Sequence, residues 1–451
     1  MAAFQRWHAA WAGQREVRRA LARLALPIVG ANLLQRGVGI VDAALVGRLG
    51  AEALAAVGLA HLLVLFVLAL VFGLGLGSTV LVAFHTGAGD MARRARAVRA
   101  AVLLGAAATL VLVPAGMATS RLAARLMGAM GAVEDLAVDY LAIIWAGFGF
   151  RVYLQMGTAV FQGVGDTRTP LKVLVWVNLL HVGVAVPLIF GWGGLPKLGV
   201  AGAAVATVVS EALGALALWA LARRRGFLGI AGPWADRREV GRILRVGLPT
   251  VGERLITQGM QLVYARLVIA FGVAAYAAHQ VGLNIEALSF LPGLAFAQGA
   301  TALVGQRLGA GDTRGARQVG VQACLVAVAV MTGFGITYWT FPALWVSMFT
   351  ADPHVLGYGR RLMAVMAALQ PPLGLAMAVS GALRGAGDTR LVMHAAIIGG
   401  WALRLPVAYL AGVVAGGGIL IVWLTMILDW GARAAITLWR FRRLDWESVR
   451  L

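Results

Sequence analysis

Three carboxylates stranded in long apolar runs, Asp42, Glu253 and Glu286, are the groups in this chain best placed to do chemistry. A charge inside hydrocarbon costs several kcal/mol and persists there only with a role or a partner. In such a site, protonation and cation binding compete for the same oxygen atoms. A carboxylate that holds a proton, a sodium ion or an organic cation in turn is the minimum machinery of an antiporter. The competing reading is structural: an acid bridging two helices through a hydrogen bond or an arginine.

The other ionisable groups inside apolar runs are Arg36, Glu211, Arg254, Arg266, Arg404 and Asp429. Glu211 lies near the end of a run and Asp429 beside Arg433, so pairing is expected for both. His279 precedes Glu286 by seven residues on the same helical face and is a candidate partner for it. At 100° per residue, Gln35 and Asp42 share a face, whereas Arg36 is rotated roughly 240° from Asp42. Glu253, Thr257, Gln261 and Tyr264 form a comparable stripe. Gln280 with Asn284, and Asn178 with His181, are helix-spaced polar pairs that could line a substrate path or join helices. The expected ion-coupling and substrate-binding acids are therefore Asp42, Glu253 and Glu286. The expected lining is Gln35, Arg36, Asn178, His181, Thr257, Gln261, Tyr264, Gln280 and Asn284.

These residues need about twelve membrane-crossing helices to hold them, since one crossing takes about 20 apolar residues. The runs fall near 24–46, 54–84, 98–118, 138–160, 171–191, 199–222, 244–270, 276–305, 318–340, 361–382, 391–413 and 418–439. Composition agrees: 60% apolar, 13% charged and a mean hydropathy of +0.83, against roughly a quarter charged in a soluble domain. The runs are too long for strands and lack alternation, which argues against a transmembrane barrel.

The chain also repeats itself. Adding 222 carries Pro27 to Pro249, Gly50 to Gly272 and Thr79 to Thr301. The same step carries Gly89-Asp90 to Gly311-Asp312, and Gly165-Asp166-Thr167-Arg168 to Gly387-Asp388-Thr389-Arg390. Six crossings per repeat give both copies the same orientation, so the expected fold is all-α and integral to the membrane. It has two parallel six-helix lobes related by a pseudo-two-fold axis along the membrane normal. The expected division is a basic amino-terminal segment (1–23), a first lobe (24–222), a linker (223–243), a second lobe (244–439) and a tail (440–451). By the repeat, Asp42 corresponds to Tyr264 and Glu253 to Ala31, which places one acid in each lobe at different depths.

A formal net charge of +20 would suggest nucleic acid in a soluble protein. Here the arginines gather in alternate loops, as the positive-inside rule produces. Nucleic-acid binding is therefore not expected, and both termini and the linker are expected in the cytoplasm of a cell with an inner membrane. Residues 1–23 are basic, so no cleavable signal is expected there. Trp7 and Trp11 at interfacial spacing leave this segment either a surface-lying amphipathic helix or a frayed tail. The single Cys324 excludes a disulfide framework. HExxH, GxSxG and Asp-rich metal motifs are absent, so no enzyme and no cofactor are expected.

Taken together, the motifs resemble the multidrug and toxic compound extrusion (MATE) transporters. Those that carry the likeness are Val41-Asp42 with Val46-Gly47-Arg48-Leu49-Gly50, Phe161 through Pro170, and Leu198 through Ala206. To these add Ala277-Ala-His-Gln-Val, Asn284 through Gly293, Thr301 through Asp312, Gly385 through Thr389, and Trp401 through Pro406. The resemblance covers the chain after residue 24. It implies exchange of cationic or amphipathic organic compounds for protons or sodium ions by rocking of two lobes. It also implies coupling roles for the acids matching Asp42 and Glu253, with a sodium ion near Asp42 as one option. Leu391-Val392 replaces the proline of the first repeat, His181 stands where asparagine is common, and the tenth run lacks an acid. These departures favour protons. The partners expected are the lipid bilayer and small organic substrates, with the chain a monomer. The competing function is a flippase for a lipid-linked or amphipathic precursor, to which Arg36, Arg254 and Arg266 lend weight.

Overall fold

A bilayer offers no water to backbone amides, so a chain this apolar must satisfy them within each segment, which a helix does. The computed structural model describes residues 2–229 and 236–449, with side chains from Gln14 onward. It contains twelve long helices and no strand among these residues. They are α1 (Ala2–Gly47), α2 (Ala51–Gly87), α3 (Met91–Leu126), α4 (Ala132–Val164), α5 (Arg168–Phe190) and α6 (Val200–Arg224). The second repeat gives α7 (Arg237–Ile269), α8 (Val273–Gly309), α9 (Thr313–Thr340), α10 (Pro353–Gly385), α11 (Thr389–Val414) and α12 (Gly418–Arg443). A six-residue helix, Pro342–Ser347, precedes α10. Eleven of the twelve are long and apolar enough to cross a membrane; α7, with charges from Arg237 to Arg266, falls short by composition.

The twelve expected crossings each coincide with one helix, and three details differ. The amino terminus is neither frayed nor separate along its backbone, because α1 runs unbroken from Ala2; Trp7 and Trp11 lie outside the described side chains. The linker is shorter than 223–243, since α6 reaches Arg224 and α7 begins at Arg237; Pro233 lies outside the described residues. Finally, the chain divides inside helices rather than in the linker. One compact unit is Pro27–Val251, and the other joins Met1–Leu26 to Gly252–Leu451.

The division inside helices has a packing cause. In the first unit, the start of α7 lies on α2 where glycines remove side chains. A Cβ on Gly247 would sit 2.7 Å from the carbonyl oxygen of Gly73, and one on Gly77 3.2 Å from the nitrogen of Gly247. Small residues permit this backbone approach between membrane helices. Across the same contact His85 meets Glu239 at 3.1 Å, and Arg96 meets Asp236 at 3.4 Å. In the second unit, the start of α1 plays the matching part: Gly299, the counterpart of Gly77, faces Ala25, and Arg18 Nε donates to Gln322 Oε1 at 2.6 Å.

The repeat holds at the level of single hydrogen bonds. Thr79 Oγ1 on α2 donates to the Ala159 carbonyl of α4 at 3.0 Å, and Thr301 on α8 donates to the Gly381 carbonyl of α10 at 2.8 Å. Beside each hydroxyl a glycine admits the neighbouring helix: a Cβ on Gly163 would lie 2.8 Å from the Thr79 carbonyl, and one on Gly385 2.6 Å from that of Thr301. Asp90 and Asp312 cap α3 and α9 by accepting the amides of Arg93 and Gly315, both at 2.8 Å. Gly165 and Gly387 reverse the chain at φ of 90° and 81°, a region open to glycine.

Candidate functional site

Each unit buries a cluster of ionisable side chains, built from different residues. In the first unit, Asp42 on α1 faces α5, where His181 Nε2 lies 2.6 Å from its Oδ1. The imidazole is 5% exposed and the carboxylate 32% exposed, so the pair is held from one side and open on the other. Asn178, one turn before His181, is buried with its Nδ2 lacking a partner. Gln35 and Arg36 are exposed on α1.

Behind this pair, Arg151 on α4 donates from Nε to Glu211 Oε1 on α6 at 2.7 Å. The charges of Asp42, Arg151 and Glu211 all lie within Coulomb reach of the Tyr140 hydroxyl, and those of Arg151 and Asp42 within reach of the His61 ring. Six groups from α1, α2, α4, α5 and α6 thus share one field. The sequence reading missed Arg151, Tyr140 and His61. Arg151 carries the same signal as Arg404, a lone arginine in the middle of an apolar run. Tyr140 and His61 have no such signal and are found only once the helices are packed.

In the second unit the polarity differs. Tyr264, the counterpart of Asp42, is buried, donates to the Val422 carbonyl at 2.7 Å, and lies 3.8 Å beneath the Arg404 guanidinium. Arg404 meets Asp429 at 3.5 Å, and Arg433 meets the same carboxylate at 2.6 Å. Arg433 is the repeat counterpart of Glu211, so an acid in one unit is a base in the other. Two π-helical stretches of α11, Ile397–Arg404 and Ala408–Val414, widen the backbone here. A Cβ on Gly400 would lie 3.3 Å from Arg433 Nη2. The Nε and Nη2 atoms of Arg404 are buried without hydrogen-bond partners.

Glu286 and His279 lie on α8, both buried, and the charge of Arg404 reaches each. They do not hydrogen-bond to one another, as their shared face had suggested; His279 Nδ1 has no partner, and its ring sits 5.6 Å from that of Tyr264. Glu253 is placed differently from expectation. One nitrogen of Arg384, near the end of α10, lies 2.6 and 2.7 Å from its two oxygens. A cation reaching Glu253 must therefore displace Arg384. Thr257 is half-buried and Gln261 exposed on the same helix. Gln280 donates to Tyr276 Oη at 2.6 Å and Asn284 to the Gln280 carbonyl at 3.0 Å, so both bond within α8.

Among the acids expected inside the crossings, three are taken by arginine: Glu211, Glu253 and Asp429. Glu286 is buried with no hydrogen bond or ion pair to its carboxylate among the described residues. Asp42 alone combines partial exposure with a titratable neighbour. Among the described residues, no group of three or more His, Cys, Asp or Glu is arranged to hold a metal.

Comparison with known proteins agrees with this architecture. The MatE family profile matches residues 27–186 and 249–410, two stretches that begin one repeat apart. A probable multidrug resistance protein NorM of Thermotoga maritima is 32% identical over 443 residues, covering 96% of this chain and 94% of that one. The multidrug resistance protein NorM of Burkholderia vietnamiensis is 31% identical over 437 residues, covering 93% and 92%. Among solved structures, the Vibrio cholerae MATE transporter VcmN in the bent form superposes with a TM-score of 0.88 at 18% identity, covering 96% and 98%. A transporter of the MOP superfamily from Pyrococcus furiosus, described as having a binding pocket of reverse polarity that suggests a different function, gives 0.84 at 23% identity over 95% of each chain.

Proposed function

Because this chain belongs to the MatE family, whose members move substrates rather than transform them, we propose that it is a secondary active multidrug exporter of the cell inner membrane. It exchanges cationic or amphipathic organic compounds for protons by alternating access, with both termini in the cytoplasm. The observation that carries this reading is Asp42 beside His181: a part-exposed carboxylate inside a crossing, hydrogen-bonded at 2.6 Å to an imidazole. A proton and an organic cation compete for its oxygens. Arrival of the proton releases the substrate, and its departure restores the site. His181 fixes the orientation of the carboxylate and offers a second titratable nitrogen at the same place. Glu286, buried on α8, is the coupling acid of the second unit, and Glu253 takes part by exchanging Arg384 for a substrate cation.

The test is transport by the purified chain in proteoliposomes under an imposed proton or sodium gradient. Uptake of a cationic dye is expected with a proton gradient alone, and Asp42→Asn is expected to lower its rate by about tenfold or more, a barrier change of ~1.4 kcal/mol. Transport driven by sodium alone would reassign the ion to a sodium site near Asp42. Unchanged transport in Asp42→Asn would remove Asp42 from coupling. The flippase reading draws on Arg404, whose buried guanidinium has unmatched donors suited to an anionic headgroup. Transport of an anionic amphiphile in preference to the dye would favour it.

A further inference from the structure

We propose that the first turns of α7 bind the phosphate headgroup of an anionic phospholipid. Arg237, Arg238, Arg242 and Arg245 line, with Gly241, a recess of about 360 Å³. Helical spacing puts residues 238, 241, 242 and 245 on one face. Nothing lies within 4 Å of the position a Gly241 Cβ would take, so the recess is open at its centre. The nearby acids are already engaged. Glu239 is buried between His85 and Arg242, at 3.1 and 3.2 Å, and Asp236 meets Arg96 at 3.4 Å. Arg237, Arg238 and Arg245 are exposed, so the recess presents more positive charge than these acids balance.

What stands opposite those arginines follows from the next turn of the helix. Three residues beyond Arg245, about 4.5 Å along the axis, the same face presents Leu248, 56% exposed. In a bundle of membrane-crossing helices, an exposed leucine on that face meets acyl chains. The arginines then lie at the level of the phosphates, where guanidinium groups pair bidentately with phosphate oxygens and basic pockets take anionic headgroups. A free phosphate would account for the arginines but not for the apolar continuation.

The repeat delimits the site. Arg15, Arg23 and Leu26 are the counterparts of Arg237, Arg245 and Leu248, but Glu16, Arg19 and Ala20 stand at the places of Arg238, Gly241 and Arg242. Leu26 is 62% exposed. The repeat thus keeps an arginine followed by an exposed leucine at both helix starts, whereas the glycine-centred recess and two of its arginines belong to α7 alone.

The experiment is native mass spectrometry of the purified chain in neutral detergent, titrated with phosphatidylglycerol, with phosphatidylethanolamine as the neutral lipid and inorganic phosphate as competitor. The chain is expected to hold phosphatidylglycerol in preference to phosphatidylethanolamine, and millimolar phosphate is not expected to displace it. The variant R238Q/R242Q/R245Q is expected to lower the affinity of the α7 site on the order of 100-fold, and R238K/R242K/R245K to keep most of it. If the triple glutamine variant does not fold, Arg238→Gln and Arg245→Gln singly are expected to lower affinity about fivefold each. Equal retention by the glutamine variants, equal binding of phosphatidylethanolamine, or displacement by phosphate overturns the proposal.

Discussion

Asp42 and Asp429 are both aspartates inside membrane helices, yet their surroundings give them opposite expectations. Asp429 is 1% exposed and answers two buried guanidinium groups. Replacing it by alanine leaves Arg404 and Arg433 without a counter-charge, an effect of about 3–5 kcal/mol for a broken buried pair. A large fall in the melting midpoint of Asp429→Ala in detergent is expected; a midpoint within a degree of the parent would contradict the assignment. For Asp42 the expectation concerns transport rather than stability. His181→Asn keeps a donor for the carboxylate but removes a titrating ring, so efflux should persist with a changed pH profile, whereas His181→Leu should slow it at all pH values. The acids were legible because a charge in an apolar run is conspicuous. Arg433, four residues after Asp429, was legible as its partner; the partners His181, Arg384 and Arg151 were not, since they come from other helices and no spacing within one helix points to them.

Between helices, the paired hydroxyls and the loop aspartates offer separate tests. Thr79→Val and Thr301→Val each remove one interhelical bond of a repeat-related pair, so each should cost about 1 kcal/mol. The double variant should lose the sum, since the sites lie in different units. At the turn from α4 to α5, partial burial raises the Asp166 carboxyl pKa, but bonds from Thr169 and Arg225 outweigh it and hold the value below the usual carboxylate range. A depressed folded value means the turn's contribution is full above the unfolded pKa, near 4, and is lost as pH falls through the lower folded value. Asp166→Asn should flatten that acid limb of the melting-midpoint profile; an unaltered limb would count against it. The crossings were legible from hydropathy and length. The π-helical course of α11 was not: Gly399 and Gly400 in that stretch lie against Arg433 of α12, a contact that no pattern within α11 signals.

Over the whole chain, the repeat visible in the sequence became two compact units, but the point of division was hidden. A linker rich in arginine looks like a boundary, and composition alone gives no sign that helices α1 and α7 each change unit near Pro27 and Pro249. That depends on glycines of α2 meeting a glycine 170 or more residues later in the chain. On the proposed mechanism one membrane-embedded acid, Asp42, holds either a proton or a substrate cation. The most direct measurement is the pH change of a weakly buffered solution of the purified chain when a permanently charged cationic dye is added near pH 7. Release of about one proton per bound dye is predicted, falling to none in Asp42→Asn and unaffected by replacing potassium with sodium. Dye binding without proton release, or equal release from Asp42→Asn, would contradict it.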